Sequence, residues 1–457
     1  MSRLLIGVKS LGTLCHLPRK KKGCGFFPLY VVKRPMAARG LFDPRLPVAS
    51  DDSALRCVDM AVLRYHPESR SGPSGAAHDG KGCAGWTTSA AQPAASVPRS
   101  AASIRVATFN VLSCRFPLPI RLAIDSATRF DSLVDEIEKV NSDVVCLNEV
   151  DTTSYERLLR SDVMRWGVKQ PEDGQRRGPY AVTPLFPDAL PEGDGDNSSA
   201  SRPSHGCVIF ARVPVLCSFW IDGAVRGRCP VAVTLDVSEP LTIAAVHSAA
   251  YQTAACRSAR AEQLYSVAVA LRQRLARGAT SGGPSLTATA TTSFIVCGDL
   301  NLHDDAEDRY IVDNALLDLW LETHAADRPA LAETGYTFDA VANTMIPRYI
   351  PGEQRQMRLD RILINKGALW RPVSPVEIWA NRPIDAYRQL FLSDHFGLVV
   401  NLALCTRGDE FFRCPQAKSL QERRCNEPLR KELSKGRFLM ALPRHCAWLA
   451  GRTVGVW

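Results

Sequence analysis

No Cys-X-X-Cys pair occurs among the fifteen cysteines, and their odd number and scattered spacing fit neither a disulfide framework nor a tetrahedral zinc site. Thiols left free in this number suit a reducing compartment. No run of 18 or more apolar residues is present, so the sequence offers no membrane-spanning helix. No internal repeat is found. Acid is missing from the first 42 residues, which carry nine Lys or Arg, whereas residues 406 to 457 carry eleven basic and five acidic side chains. Since the whole chain has a net charge of +9, the stretch between these ends has a balance of −6. Any polyanion met there must find a local basic groove, because the overall field opposes it.

What is present is 457 residues, 46% of them hydrophobic and 23% charged, enough to bury a sizeable core. The acid-free start, "MSRLLIGVKSLGTLCHLPRKKK", has the composition of an organelle transit peptide. Its "RKKK" at 19 to 22 fits a nuclear address equally, and a plain basic tail is the third reading. The expected location is the nucleus, with the mitochondrion as the alternative. Residues 72 to 102, rich in Ser, Ala, Gly and Pro, read as linker. The pattern therefore divides the chain into a basic, low-complexity extension over 1 to 102, a folded body over 103 to 405 and a basic tail over 406 to 457.

From residue 103 short apolar runs alternate with turns and helices, the texture of a layered α/β body. Candidate strands are "IRVATFN" (104–110), "DVVCLNEV" (143–150), "GCVIFAR" (206–212), "VAVTLDV" (231–237), "LTIAAVH" (241–247), "FIVCGD" (294–299), "RLDRILI" (358–364) and "GLVVNLAL" (397–404). Several lack polar alternation, so both of their faces should be covered. Phe130, Leu133, Val134, Ile137 and Val140 recur at helical spacing, as do Leu264, Val267, Leu271 and Leu275 on a helix expected from Arg257 to Arg274. A further helix is expected from Ala306 to Glu322. The polar stretches 169–205 and 277–292 read as surface insertions.

The strand ends carry the chemistry. One run finishes at Asn110, another carries Glu149, a third finishes at His247 and a fourth gives Asp299 and Asn301. Asp360 sits in "RLDRILI", and Asp394 and His395 stand just before the last strand. Asp299 and Asn301 alone could be a helix cap. Six polar or ionisable boundaries in one body are unusual for a purely structural protein. Carboxylates with amide and imidazole groups, and no sulfur, suit a hard cation such as Mg²⁺ or Mn²⁺. Such an ion clamps phosphate oxygens and offsets the charge that builds as water attacks phosphorus.

In order along the chain, "TFN", "LNEV", "GDLN", "RLDRIL" and "SDH" resemble the motifs of the endonuclease/exonuclease/phosphatase superfamily, and the resemblance covers roughly residues 103 to 405. It implies a deoxyribonuclease I-like fold, a four-layered α/β sandwich of two packed mixed sheets flanked by helices. "LLDLWLETH" (316–324), "YTFDAVAN" (336–343), "MRLDRILIN" and "SDHFGLVVNL" are similar to the branch of that family that removes tyrosyl adducts from DNA 5′ ends. Departures are Phe109 where the family often has Trp, Asn148 where it has Gln, and Phe338 where the branch has Trp. The run "VHSAAYQTAACRSARAEQL" lacks the acidic residue that the branch carries after its His.

The resemblance implies Glu149 as the main Mg²⁺ ligand beside Asp299, with Asp299 also orienting and deprotonating the attacking water. Asn110 and Asn301 would hold the phosphate and nucleophile in line. His395, steered by Asp360 or by Asp394, and His247 would donate to phosphate oxygens. Tyr336 and Phe338 either stack on an unpaired base or pack internally, and Asn343, Arg228 and Arg257 complete the substrate contacts. The implied reaction is hydrolysis of a 5′-phosphotyrosyl bond between single-stranded DNA ends and a trapped topoisomerase, leaving a 5′-phosphate, with no membrane involved. Alternatives on the same fold are a nuclease, a deadenylase, a phosphoinositide phosphatase or a sphingomyelinase-like enzyme. A non-catalytic nucleic-acid-binding scaffold is the alternative from another class. Oligomeric state is not legible in the sequence.

Overall fold

Alternation hidden inside all-apolar strands organises the body. The computed structural model describes residues 56–65, 86–89, 102–113, 118–169, 176–185, 205–222, 229–280, 293–324 and 334–405. The basic start, most of the linker and of the two insertions, Arg228 and the C-terminal tail lie outside the described residues.

One sheet has seven strands in the order Arg56–Met60, Val215–Asp222, Val231–Leu235, Leu241–Ala245, Ser293–Asp299, Asp360–Asn365 and Leu316–Asp318. The other has nine and is centred on Gly397–Leu404, Ser103–Asn110, Val144–Val150 and Gly206–Ala211. Both are mixed. Leu241–Ala245 runs parallel to Ser293–Asp299, and Ser103–Asn110 parallel to Val144–Val150, whereas their outer neighbours pair antiparallel.

Because successive side chains point to opposite faces, Val144 and Cys146 enter a core shared with Val233, Ile243, Ile295 and Ile362 of the other sheet. Val145 and Leu147 face outward against Phe130, Leu133 and Ile137 of the helix Ser126–Val140. On the far side Ala244, Phe294 and Val296 meet Leu264, Val267 and Leu271 of the helix Ala254–Thr280. The result is helix, sheet, sheet, helix: the four-layered α/β sandwich with covered sheet faces. Among the described residues, no helix is long and apolar enough to cross a membrane.

Two expectations change. The helix expected over 306–322 is broken: Arg309–Asp313 ends at a turn where Ala315 takes φ 48°, Leu316–Asp318 becomes an edge strand on Asp360–Asn365, and a new helix starts at Leu319. Tertiary pairing overrides the helical spacing of the leucines, and it buries Asp318 where Arg358 and Arg361 pair with it. The body also draws strands at or next to its sheet edges from before residue 103: Arg56–Met60 pairs with Val215–Asp222, and Val62–Tyr65 pairs with Trp86–Ser89 and Val182. Edge strands need only one apolar face, so short half-polar runs suffice.

Candidate active site

The central strands deliver their polar ends to one edge of the sandwich. Ser103–Asn110 and Val144–Val150 bring Asn110 and Glu149 from one sheet. Leu241–Ala245 and Ser293–Asp299 bring His247, two residues past its strand, and Asp299 from the other. Asp360 opens its strand directly opposite Asp299, since that pair is antiparallel. A backbone bridge between Phe338 and His395 carries the segment Ser393–Asp394–His395 to the same place.

Local backbone features aim these groups. Between Leu147 and Val150 the ladder shifts register, and Glu149 lies in this bulge at φ 59°. Bulges re-aim side chains and often border functional sites. Asn301 has φ 51°, a conformation that Asn tolerates. Gly298 has φ 128°, and a Cβ there would meet the Val246 carbonyl oxygen at 2.1 Å and Asn148 Oδ1 at 2.8 Å, so the close approach of the strands requires glycine.

Asn110 Nδ2 donates to Glu149 Oε1 and to Asp299 Oδ2, both at 3.1 Å, while its Oδ1 accepts from the Leu112 amide. Glu149 Oε2 accepts from the Ser113 amide at 3.2 Å. His247 Nε2 stands 3.7 Å from Glu149 Oε1 and 3.5 Å from Asp299 Oδ2. Asp299 Oδ1 accepts from the Asn301 amide at 3.0 Å, and Asn301 Nδ2 donates to the Ser248 carbonyl. His395 Nδ1–H donates to Asp360 Oδ2 at 2.6 Å, leaving Nε2 3.9 Å from Asp299 Oδ2. Asn110, Asp299, Asp360 and His395 are all buried.

Burial pushes the Asp299 carboxyl up to about 7; Asp360 and Glu149 add to the rise and His395 opposes it. Burial works against a charged His395, yet Asp360, Asp394 and Asp299 hold its imidazolium well above the ordinary histidine range. The site thus pairs a proton acceptor near neutrality with a cation that donates.

Ligand atoms of Glu149, His247 and Asp299 lie within 4.8 Å of one another. Two carboxylates and one imidazole without a thiolate fit a hard divalent cation that completes its shell with water. Oδ1 of Asp360 is buried without a hydrogen-bond partner, so the edge is rich in negative charge.

The structure brings together Asn110, Glu149, His247, Asp299, Asn301, Asp360 and His395; Arg228 lies outside the described residues. Asp394 accepts from the Tyr349 hydroxyl at 2.5 Å and from Ser393 Oγ at 3.1 Å, so the steering contact on His395 belongs to Asp360. Phe338 is buried among Ala340, Ile346, Met357 and Leu359, and its ring meets that of His395 edge to face at 5.6 Å between centroids. Tyr336 is partly exposed. Asn343 is fully buried; its Nδ2 donates to the Ser393 carbonyl at 2.7 Å and its Oδ1 accepts from Met345, so it braces the segment that carries His395. Arg257 is exposed and pairs with Asp304 and Glu307.

Sequence reasoning missed several supports. Asn148 ties the sheets beneath the site, donating to the Val246 carbonyl and accepting from the Asp299 amide, each at 3.1 Å. Arg129, fully buried, donates to the carbonyls of Val111, Leu112 and Leu392 and so links the loops that follow Asn110 and precede His395. A charged residue on the apolar stripe of a helix was its signal. His205 stacks on His247, ring centroids 5.7 Å apart.

A family model described as the Endonuclease/Exonuclease/phosphatase family matches residues 107–395. Among solved structures, the chain is similar to TDP2 from C. elegans at 15% identity, over 66% of this chain and 75% of that one, with a TM-score of 0.44. It is similar to D. rerio TDP2 complexed with single strand DNA product at 17% identity, over 66% and 98%, TM-score 0.42. Sphingomyelinase C from Streptomyces griseocarneus matches at 18% identity, over 65% and 99%, TM-score 0.44. At these identities the likeness says nothing of substrate. No curated protein matches the chain.

Proposed function

Because the chain belongs to the endonuclease/exonuclease/phosphatase family, we propose that it is a Mg²⁺-dependent phosphodiesterase that hydrolyses 5′-phosphotyrosyl bonds at DNA ends. The observation that carries the hydrolytic part is the joining of Asn110 and Glu149 from one sheet to Asp299 from the other, with His247 and the Asp360–His395 pair at the same edge. Support for the phosphotyrosyl part comes from the runs "LLDLWLETH" and "YTFDAVAN".

Glu149 and Asp299 would hold the cation with His247 beside them. When bound, a hard divalent ion withdraws charge from a phosphoryl oxygen and offsets the crowding of the carboxylates. Asp299 takes a proton from water as the new P–O bond forms. His395, kept protonated and pointed by Asp360, donates from Nε2 to a phosphate oxygen as charge develops. Asn110 fixes both carboxylates through one amide, so neither swings away from the other. The P–O bond to the tyrosyl oxygen breaks, and the phenol, with a pKa of about 10, leaves with little acid assistance. The products are a 5′-phosphate and a free tyrosine side chain.

Full-length protein with Mg²⁺ is offered a 5′-tyrosyl oligonucleotide, abasic DNA, poly(A), inositol phosphates and sphingomyelin in parallel. The expected result is conversion of the tyrosyl oligonucleotide alone to its 5′-phosphate. An intact tyrosyl oligonucleotide alongside turnover of another member of the panel reassigns the substrate within the family.

A further inference from the structure

A cleft of about 890 Å³ opens between the helices Leu118–Ala123, Ser126–Val140 and Thr152–Arg160, and none of its residues takes part in the chemistry described above. It shares a wall with the site. Ser113 gives its amide to Glu149 Oε2 and its hydroxyl to Asp151 Oδ2, each at 3.2 Å, and Asp151 lines the cleft.

Three guanidinium groups border this space, those of Arg121, Arg157 and Arg388. The two carboxylates on its wall are engaged within the protein. Asp151 is buried and takes hydrogen bonds from Ser113 and from the amide and hydroxyl of Ser154, while Asp125 takes two from Thr128 and one from Arg388. The pair of Arg157 with Asp131 is a 3.4 Å contact between exposed groups, which holds a side chain only weakly. Each of the two longer helices is N-capped by one of these carboxylates, Asp125 and Asp151, which accepts from an amide of the first turn. Leu118 and Leu122, 57% and 70% exposed, give the same cleft an apolar flank.

A ligand suited to this wall carries repeated negative charges beside flat apolar groups. We propose that the cleft binds single-stranded nucleic acid next to the scissile phosphate, Arg121 and Arg157 taking backbone phosphates while Leu118 and Leu122 meet bases. This rests on the phosphodiesterase reading of the adjoining site, whose Glu149 is linked through Ser113 to the cleft-lining Asp151. Each phosphate contact on a single strand adds about 0.7 to the slope of log affinity against log salt, so removing two removes about 1.4.

The test uses the full chain with Arg121→Glu and Arg157→Glu combined. Two substrates are compared, a 5′-tyrosyl 12-mer and thymidine 5′-monophosphate p-nitrophenyl ester, which has one phosphate. The expected result is a KM for the 12-mer raised about tenfold with a salt slope lower by about 1.4, and unchanged turnover of the mononucleotide ester. An unchanged KM and slope for the 12-mer, or equal losses on both substrates, overturns the proposal. If the wild-type protein cleaves neither substrate, the activity reading has failed on its own, and the cleft is judged by fluorescence anisotropy of an unmodified 12-mer. Affinity about tenfold weaker in the variant then supports the cleft as a nucleic-acid site, and equal affinity overturns it.

Discussion

Asn110 reaches across from one sheet to Asp299 on the other, its Nδ2 lying 3.1 Å from Oδ2, while the same amide holds Glu149. One neutral side chain thus fixes the separation of two carboxylates that repel each other. Replacing it with Ala should lower kcat by about 10²-fold or more with the fold intact, since preorganised polar groups at such sites are worth that much. Steady-state kinetics beside circular dichroism checks this.

Asp360→Asn should cost about 10- to 100-fold in kcat/KM, the usual effect of losing a group that orients a site histidine. The pH profile supplies the sharper readout. Asp360 is among the charges that raise the His395 pKa, so the variant's alkaline limb should move to lower pH. In stability terms a raised imidazole pKa contributes fully below the unfolded value of about 6.5 and is lost as pH rises through the folded one, so the variant should lose part of its acid-side stability.

The buried group of Asp318 with Arg358 and Arg361 should govern folding more than turnover. Asp318→Ala leaves the buried Arg358 without its carboxylate and Arg361 with Asp308 alone, and should destabilise by about 3–5 kcal/mol in urea melts. Although burial opposes it, Arg358 and Arg361 hold the Asp318 carboxyl below its ordinary value. Its contribution is therefore present above the unfolded pKa of about 3.9 and disappears as pH falls through the lower folded value, so the wild type and the variant should converge in strong acid.

Gly298→Ala places a methyl group 2.1 Å from the Val246 oxygen at φ 128°. A loss of at least about 2 kcal/mol is expected in thermal or urea unfolding. Wild-type stability would mean that the strands can separate there.

How much of this was legible beforehand follows from where each residue's partners lie. Asn110, Glu149, His247, Asp299 and His395 stand at the boundaries of apolar strands, and such a boundary is local, so the sequence shows it. The alternation of Val144, Val145, Cys146 and Leu147 between two cores is invisible in composition and becomes evident only from what each side chain meets. The sequence leaves Phe338 open between stacking and packing and offers Asn343 to substrate, because their cover comes from distant Met357 and Ser393. The choice between Asp360 and Asp394 was open for the same reason, since Tyr349 takes Asp394 away from His395. Leu316 and Leu317 continue a helical spacing, and only their pairing with Asn365 and Ile364 turns them into strand.

The central claim is that Glu149 and Asp299, with His247 beside them, hold one divalent cation on which the hydrolysis depends. Calorimetric titration of Mn²⁺ into the wild-type protein and the Glu149→Gln variant tests it directly. One site in the wild type that is lost or at least about tenfold weaker in the variant is the result predicted here. Equal binding by both proteins would contradict it.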